Sequence, residues 1–363
     1  MTPSAAAGQP QLKKLIKEEA RRLGFVLAGV TTPDPPAHLN VLDDWLERGR
    51  HARMNYMSDP RSVERRKDPR LLLPGCKSIL VVAAPYSAAP RVDGPEAPEA
   101  GAKGRIAAYA WGADYHRVLP RRLKSIVSFI EHQLGRAVTA RCFTDSAPIL
   151  ERELAQRAGI GWIGKNSCLI NPKLGSYFLL AEIFLDVELE PDPAAPTDHC
   201  GSCTRCIQAC PTECILPERT LDAGRCISYL TIELREEIPQ QLRAATGNWV
   251  FGCDICQMAC PWNRFAPAHG DPEFGDRDPL SGVDLGDELY LTRQAFERQY
   301  QRTPLNRAKP NGHRRNVAVA MGNTAGPEAF PALEAAAADE DWLVAEHASW
   351  AILQIRNRAG EYE

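Results

Sequence analysis

Nine of the chain's 12 cysteines lie between residues 200 and 260, and their spacing is the first chemistry the sequence offers. Cys200-x2-Cys203-x2-Cys206-x3-Cys210-Pro211 is followed by a shortened version, Cys253-x2-Cys256-x3-Cys260-Pro261. Three thiolates at two-residue gaps fit one corner of a cubane, and the fourth cysteine of such a run ligates a second cluster. Structural zinc more usually shows paired two-cysteine knuckles. The spacing therefore predicts two 4Fe–4S clusters. By the crossing rule Cys200, Cys203, Cys206 and the remote Cys260 hold one cluster. Cys253, Cys256 and the remote Cys210 hold the other and need one more ligand. Cys214 and Cys226 are the candidates, and Cys226, with the longer and freer approach, is expected. Cys214 is then a small buried residue, as are Cys76, Cys142 and Cys168, which sit in apolar surroundings.

Two clusters move single electrons, so the rest of the chain should hold what receives them. Residues 11–24 place Leu12, Leu15, Ile16 and Leu23 at helical spacing, and Phe25–Val30 follows as a strand. Ser78–Ala84 is an unbroken apolar run, as in a strand covered on both faces. Val118–Leu134 reads as a helix and Val138–Phe143 as a strand running into Thr144-Asp145-Ser146. Pro148 suits a first helical turn, which predicts a helix over Ile149–Ala158 with Asp145 as its N-cap. Cys168–Ile170, a turn at Asn171–Gly175 and Ser176–Leu185 read as a hairpin.

Proline-rich Pro191–Pro196 then breaks the pattern. The acidic stretch from Asp271 to Glu288 is expected to be a solvated connection. Beyond it the chain is helical. Val317, Ala320 and Met321 share a face before Gly322-Asn323, a stop signal. Phe330, Leu333 and Ala337 mark a second helix, and Val344, Ala348, Ala351, Ile352 and Ile355 a third, together suggesting one HEAT-like unit. The fold expected is α+β: an α/β domain over 1–190, a ferredoxin-like two-cluster module over 191–265, and a connection with HEAT-like helices over 266–363.

Composition bounds these readings. Of 363 residues 44% are hydrophobic and 25% charged, which excludes a disordered or collagen-like chain. A net charge of −3 excludes a uniformly basic nucleic-acid binder while allowing a local basic patch. No basic run with an apolar core opens the chain, and the apolar stretches are strand-sized, so a cytoplasmic protein without a membrane segment is expected. Disulfides are rare there, which leaves the cysteines for metal.

Several further segments read together. They are Glu64-Arg-Arg66, Leu71-Leu-Leu-Pro-Gly, Trp111-Gly-Ala-Asp114-Tyr-His116, Asp145-Ser, Glu151-Arg152, Arg157-Ala-Gly-Ile-Gly-Trp-Ile-Gly-Lys165-Asn166, Gly175-Ser-Tyr, Ala181-Glu182 and Arg225-Cys226-Ile-Ser228. In this order, with the cysteine runs, the chain closely resembles the epoxyqueuosine reductases. The resemblance implies cobalamin as a second cofactor, bound by a nitroreductase-like fold in the α/β domain over 1–190, and reduction of the epoxide of a modified wobble base in tRNA to an alkene. It makes Asp145 the proton donor, against its local reading as a cap. It also places Arg66, Ala107, Ile170, Leu180 and Ser228, with Asp145, at positions that line the cofactor. His116 lies in an incomplete Asp-x-His-x-x-Gly pattern and is expected to make a polar contact rather than to ligate cobalt. Lys165-Asn166 is a polar pocket wall or a hairpin entry.

Between Arg293 and Arg315 seven basic residues face one acid, Glu297, with Tyr300 and His313 interleaved. This run is expected to meet tRNA phosphates, since backbone charge sets affinity for nucleic acid. A monomer fed by an external low-potential electron donor is expected. A soluble dehalogenase-like corrinoid enzyme should lack the basic run. A simple iron–sulfur electron carrier would not need the large α/β domain.

Overall fold

The computed structural model describes residues 9–89, 103–195, 198–275 and 282–360. Two compact units emerge, each built from three stretches of chain. One takes residues 1–88, 115–203 and 261–273, the other 89–114, 204–260 and 274–363.

The first unit is built on a wholly antiparallel four-stranded sheet. Its strands are β1 (Leu27–Thr31), β2 (Ser78–Pro85), β3 (Ala140–Phe143) and β4 (Phe178–Leu185), in the order β1-β2-β4-β3. The apolar run of β2 is buried at every residue but Pro85, because both edges are paired and both faces covered. Helix α1 (Gln9–Arg22) packs on α2 (Tyr115–Leu134), which also packs on β4. Helix α3 (Glu151–Arg157) contributes Leu154 and Ala155 to the core around Ile79, Val81, Ala83 and Phe184.

Two local expectations give way in this unit. Helix α3 begins at Glu151 behind Leu150, so Pro148 lies in the preceding loop and Asp145 is no cap. Leu169–Ile170 pairs with Trp162–Ile163 instead of with the following strand; an isolated Asn171–Gly175 bridge closes the turn, and β4 enters the main sheet. A long apolar strand gains more by pairing on both edges than in an isolated hairpin.

The second unit holds a small sheet ordered Trp249–Phe251, Gly104–Ile106, Gly282–Val283. Helix α4 (Pro310–Thr324) packs on its Trp249–Phe251 strand, and α5 (Phe330–Ala337) and α4 both pack on α6 (Trp342–Ala359). The predicted apolar faces are buried: Val317, Ala320 and Met321, then Leu333, then Val344, Ala348, Ala351, Ile352 and Ile355. On α5 the buried alanine is Ala336, one place before the expected Ala337. Gly322 does not end its helix, which runs on to Thr324. A Cβ there would stand 2.7 Å from the Trp350 ring and 2.9 Å from Ala351 Cα, so glycine serves the close approach of α4 to α6.

Both charge runs are partly structural. In the acidic stretch, Asp271 and Glu273 bind Arg122, with Asp271 2.5 Å and Glu273 2.7 Å from its guanidinium. Buried Glu288 takes His313 Nε2 at 2.6 Å and the Tyr300 hydroxyl at 2.6 Å. Asp284 caps the short helix Leu285–Leu289. Asp276 and Asp278 lie outside the described residues. The partners of these acids are distant in sequence, so a local charge count cannot find them.

In the basic run, Arg315 is fully buried and donates to the carbonyls of Leu230, Leu234 and Glu236 at 2.7, 3.0 and 2.6 Å. Arg314 binds Asp339 at 2.6 Å, and Arg307 binds Glu233 at 2.8 Å. Tyr300 and His313 are fully buried and so are no surface for stacking bases. Arg293, Arg298, Arg302 and Lys309 remain exposed. Among the described residues no helix is long and apolar enough to cross a membrane.

Candidate active site

Asp145 stands just past the end of β3 with φ +56°, a left-handed backbone that L residues other than asparagine and aspartate rarely adopt. Its backbone is held by Glu151, whose Oε1 accepts the Asp145 amide at 2.5 Å. Its side chain is held from α2. The Tyr115 hydroxyl donates to Oδ2 at 2.9 Å, and His116 Nε2 lies 3.2 Å from the same oxygen. The two rings stack with centroids 4.1 Å apart. His116 thus makes the polar contact expected of it. Burial works to raise the pKa of Asp145, but the bonds from His116 and Tyr115 and the charges of His116 and Arg152 outweigh it, and the carboxyl falls below its usual range. Its side chain is nonetheless 61% accessible, so a substrate can reach the acid.

Behind Asp145 sit two more carboxyls. The β3–β4 register sets Glu182 opposite Phe143, and the β2–β4 register sets it opposite Val81, inside the sheet. Glu182 is 0% exposed and neither of its oxygens meets a donor. Burial first, then the Asp145 charge, push Glu151 up to about 7. Burial, then the Glu151 carboxyl, push Glu182 well up. The sequence does carry a signal for this group, an acid inside the otherwise apolar Phe178–Leu185, but spacing alone assigns it no role.

Of the predicted cofactor contacts, Arg66 is buried, not solvated. Its Nη1 donates long bonds to the Tyr56 and Met57 carbonyls at 3.5 and 3.4 Å, and Nη2 lies 3.3 Å from Met57 Sδ. Ile170 is buried and Leu180 half-buried against the core. Beside the Asp145 loop an open groove of about 290 Å³ is lined by Arg65, Arg141, Phe143, Ser146 and Pro148, among others.

In the second unit the Ala107 amide donates to Phe251 O at 2.8 Å and the Ala108 amide to buried Asp254 at 2.6 Å. Gly252, with φ +67°, keeps room for this turn, because a Cβ there would meet Ala107 Cβ at 2.5 Å. Ser228 is half-buried, and its amide, with that of Tyr229, bonds to the Cys226 thiol.

The cysteines also fall on both units. In the first, the Gly-Trp-Ile-Gly-Lys-Asn motif supports the Cys200–Cys203 loop. Lys165 Nζ donates to Gly201 O at 2.7 Å and to Cys203 O at 3.0 Å, and Trp162 packs edge-on against His199 and Trp262. Lys165 is therefore neither a bare pocket wall nor only a hairpin entry. In the second unit, Cys210 and Cys214 sulfurs stand 3.4 Å apart, and Cys214 also bonds to Cys226. The Cys214 bond lowers Cys210 to about 5 and Cys226 to about 7, while Cys214 itself is pushed up by the same two bonds. Burial first, then the charges of nearby Cys226 and Cys210, raise Cys253.

Residues 199–263 match a 4Fe-4S double cluster binding domain, and residues 66–146 match the family model for epoxyqueuosine reductase QueG, DUF1730. The epoxyqueuosine reductase of Pseudomonas aeruginosa is 39% identical over 350 residues, spanning 94% of each chain. A crystal structure of an epoxyqueuosine reductase with a tRNA-Tyr epoxyqueuosine-modified tRNA stem loop superposes with a TM-score of 0.85 at 30% identity, covering 98% of this chain and 95% of that one. The Bacillus subtilis epoxyqueuosine reductase, solved with its catalytic aspartate loop swung out of the active site, superposes at 0.84 with 29% identity, covering 98% and 95%.

Proposed function

The chain belongs to the epoxyqueuosine reductase family, and from that premise we propose that it reduces epoxyqueuosine to queuosine at the wobble position of tRNA, the last step in making that base. The observation that carries this reading is a relative solved with the modified stem loop and alike over nearly the whole chain. Opening the epoxide to an alkene consumes two electrons and two protons and releases water.

The clusters pass electrons singly. Cys200, Cys203, Cys206 and Cys260 hold one, and Cys210, Cys226, Cys253 and Cys256 the other. This assignment rests on spacing, supported by the amide bonds that favour a thiolate at Cys226 over Cys214. Cobalamin, when bound and reduced, supplies a strong nucleophile and reductant. Arg66, Asp145, Ile170 and Leu180, with Ala107 and Ser228, are the positions proposed to line it. The fit of Arg66 is chemical: a buried guanidinium on long, weak acceptors has bonding capacity left for amide or phosphate oxygens.

Asp145 delivers a proton to the opening epoxide. Being held ionised, it must be loaded from solvent or substrate before each turnover. The exposed cations of the basic run meet tRNA phosphates, the C-terminal helices act as a HEAT-like unit, and the division 1–190, 191–265 and 266–363 is the functional one. The enzyme works in the cytoplasm as a monomer with an external low-potential donor. The test is single-turnover conversion of an epoxyqueuosine-modified stem loop by cobalamin-loaded, pre-reduced enzyme. Queuosine should form with two electrons consumed per product, and unchanged RNA rejects the reading.

A further inference from the structure

Glu182 presents a problem that the reaction as proposed does not use. Its carboxyl is fully buried in the middle of the sheet, and neither oxygen meets an N–H or O–H donor. The group that faces it is another carboxyl, Glu151, within hydrogen-bond reach. Two carboxylates cannot bond to each other; a hydrogen bond between them requires a proton on one. The charged and titratable groups facing this pair are few. Asp145 adds a third acid from the loop, Arg152 the one cation from α3, and α2 offers Tyr115 and His116, both already bonded to Asp145. The registers set Phe143 and Val81 opposite Glu182, both apolar. Full ionisation would set a fully buried negative charge on Glu182 beside a second, half-buried one on Glu151, with little to offset them.

We propose that Glu151 and Glu182 hold a single proton between them and that this pair positions Asp145 for the reaction. The link is the Asp145 amide, which Glu151 accepts at 2.5 Å. That bond fixes a residue in a left-handed backbone, where the chain has little preference of its own to stay. Tyr115 and His116 anchor the carboxyl, and Glu151 anchors the main chain beneath it. A shared proton keeps Glu151 in place, because it ties that side chain to Glu182 and the sheet. Losing the proton sets the two carboxylates against each other and weakens the anchor. Burial and the facing Glu151 carboxyl push Glu182 well above the usual carboxylate range, so the last proton leaves the pair only on the alkaline side. No electrons move in this step, and the proton stays within the pair during turnover. The proposal rests on Asp145 being the proton donor, and Glu151 and Glu182 are positioning residues that do not touch substrate.

The test begins without turnover. An infrared titration of the full-length, cluster-loaded protein should show a protonated-carboxyl C=O band near neutral pH that disappears on alkaline titration. The band should vanish in Glu182→Gln, whose amide donates permanently to Glu151; Glu151→Gln, which donates to Glu182 instead, serves the same purpose should the first variant not fold. Absence of the band in the wild-type protein, or its survival in both variants, overturns the shared proton. Single-turnover rates then test the positioning. Glu151→Ala should slow conversion about a hundredfold, the scale of a misplaced catalytic group, with tRNA affinity unchanged. Glu182→Gln should remove the additional alkaline fall in rate, leaving only the decline that the titration of Asp145 itself sets, while keeping the rate at neutral pH. A wild-type rate in Glu151→Ala, or an unchanged alkaline limb in Glu182→Gln, overturns the positioning role. Enzyme that shows the band yet never converts the stem loop overturns the proposed reaction and upholds the shared proton.

Discussion

Asp145 carries the most chemistry of any single residue, and its backbone dictates which substitutions are informative. With φ at +56°, asparagine keeps the conformation at little cost, whereas alanine adds strain. Asp145→Asn should therefore leave the melting temperature and both clusters unchanged and lower single-turnover conversion about a hundredfold or more, the scale of a general acid. A second expectation follows from the groups that lower its pKa. Tyr115→Phe removes a donor to the carboxylate, so the pKa rises and more of the acid is protonated at any given pH. The pH at which the rate falls off should move upward; a profile that stays put or moves down excludes Asp145 as the titrating donor. At the cysteines, Cys226 and Cys214 separate by the same kind of reasoning. Two backbone amides support a thiolate at Cys226, while Cys214 is the donor between its neighbours. Iron analysis should find about four irons in Cys226→Ala and about eight in Cys214→Ala, counting four per cluster; the reverse pattern exchanges their roles.

At the level of elements, periodicity made most of the frame legible, because burial follows spacing. The continuous run of β2 is buried from Ser78 to Ala84, and the stripes on α4 and α6 face inward as spaced. Pairing was less legible. Nothing local tells Leu169–Ile170 to choose Trp162–Ile163 over β4, since strand partners are settled by how much each edge has to gain. Asp145 and Pro148 likewise read as a helix start, yet the helix waits until Glu151, whose side chain is needed on the Asp145 amide. Gly322 shows the same limit. As a stop signal it is a property of the chain, but as a point of close packing it depends on Trp350 and Ala351, a helix away. Gly322→Ala weighs these against each other. Alanine gains about 1 kcal/mol of helix propensity, while a Cβ 2.9 Å from a backbone atom costs about 1–3 kcal/mol of overpacking. Net destabilisation by about 1 kcal/mol is expected as a lower melting temperature. A rise would mean that α4 and α6 separate easily.

Over the whole molecule, charge that is unremarkable in sum is divided between structural and free groups, and only folding reveals the division. The chain carries −3 overall, yet residues 293–315 alone carry a net +6. Folding commits Arg307, Arg314 and Arg315 to internal partners and leaves Arg293, Arg298, Arg302 and Lys309 in solvent. Reversing Arg315 would put a carboxylate against three carbonyls that now accept from a guanidinium. That is a folding defect of several kcal/mol, uninformative about RNA. Arg293 and Arg298 are the clean sites. Both are exposed on the helix Arg293–Tyr300: Arg298 lies opposite the buried Phe296 and Tyr300, and Arg293 is the first residue of the helix. A glutamate at position 293 even suits the helix N-terminus behind the Thr292 cap. Arg293→Glu with Arg298→Glu should keep the melting temperature, the clusters and the cobalamin content, and should weaken binding of the tRNA stem loop. The dependence of log affinity on log salt should become shallower by about 0.7 for each phosphate no longer neutralised, the value for single strands. Weaker binding with an unchanged slope would place the effect in something other than phosphate pairing. An unchanged affinity and slope would mean that the tRNA is held elsewhere and that these two cations only solubilise the helix.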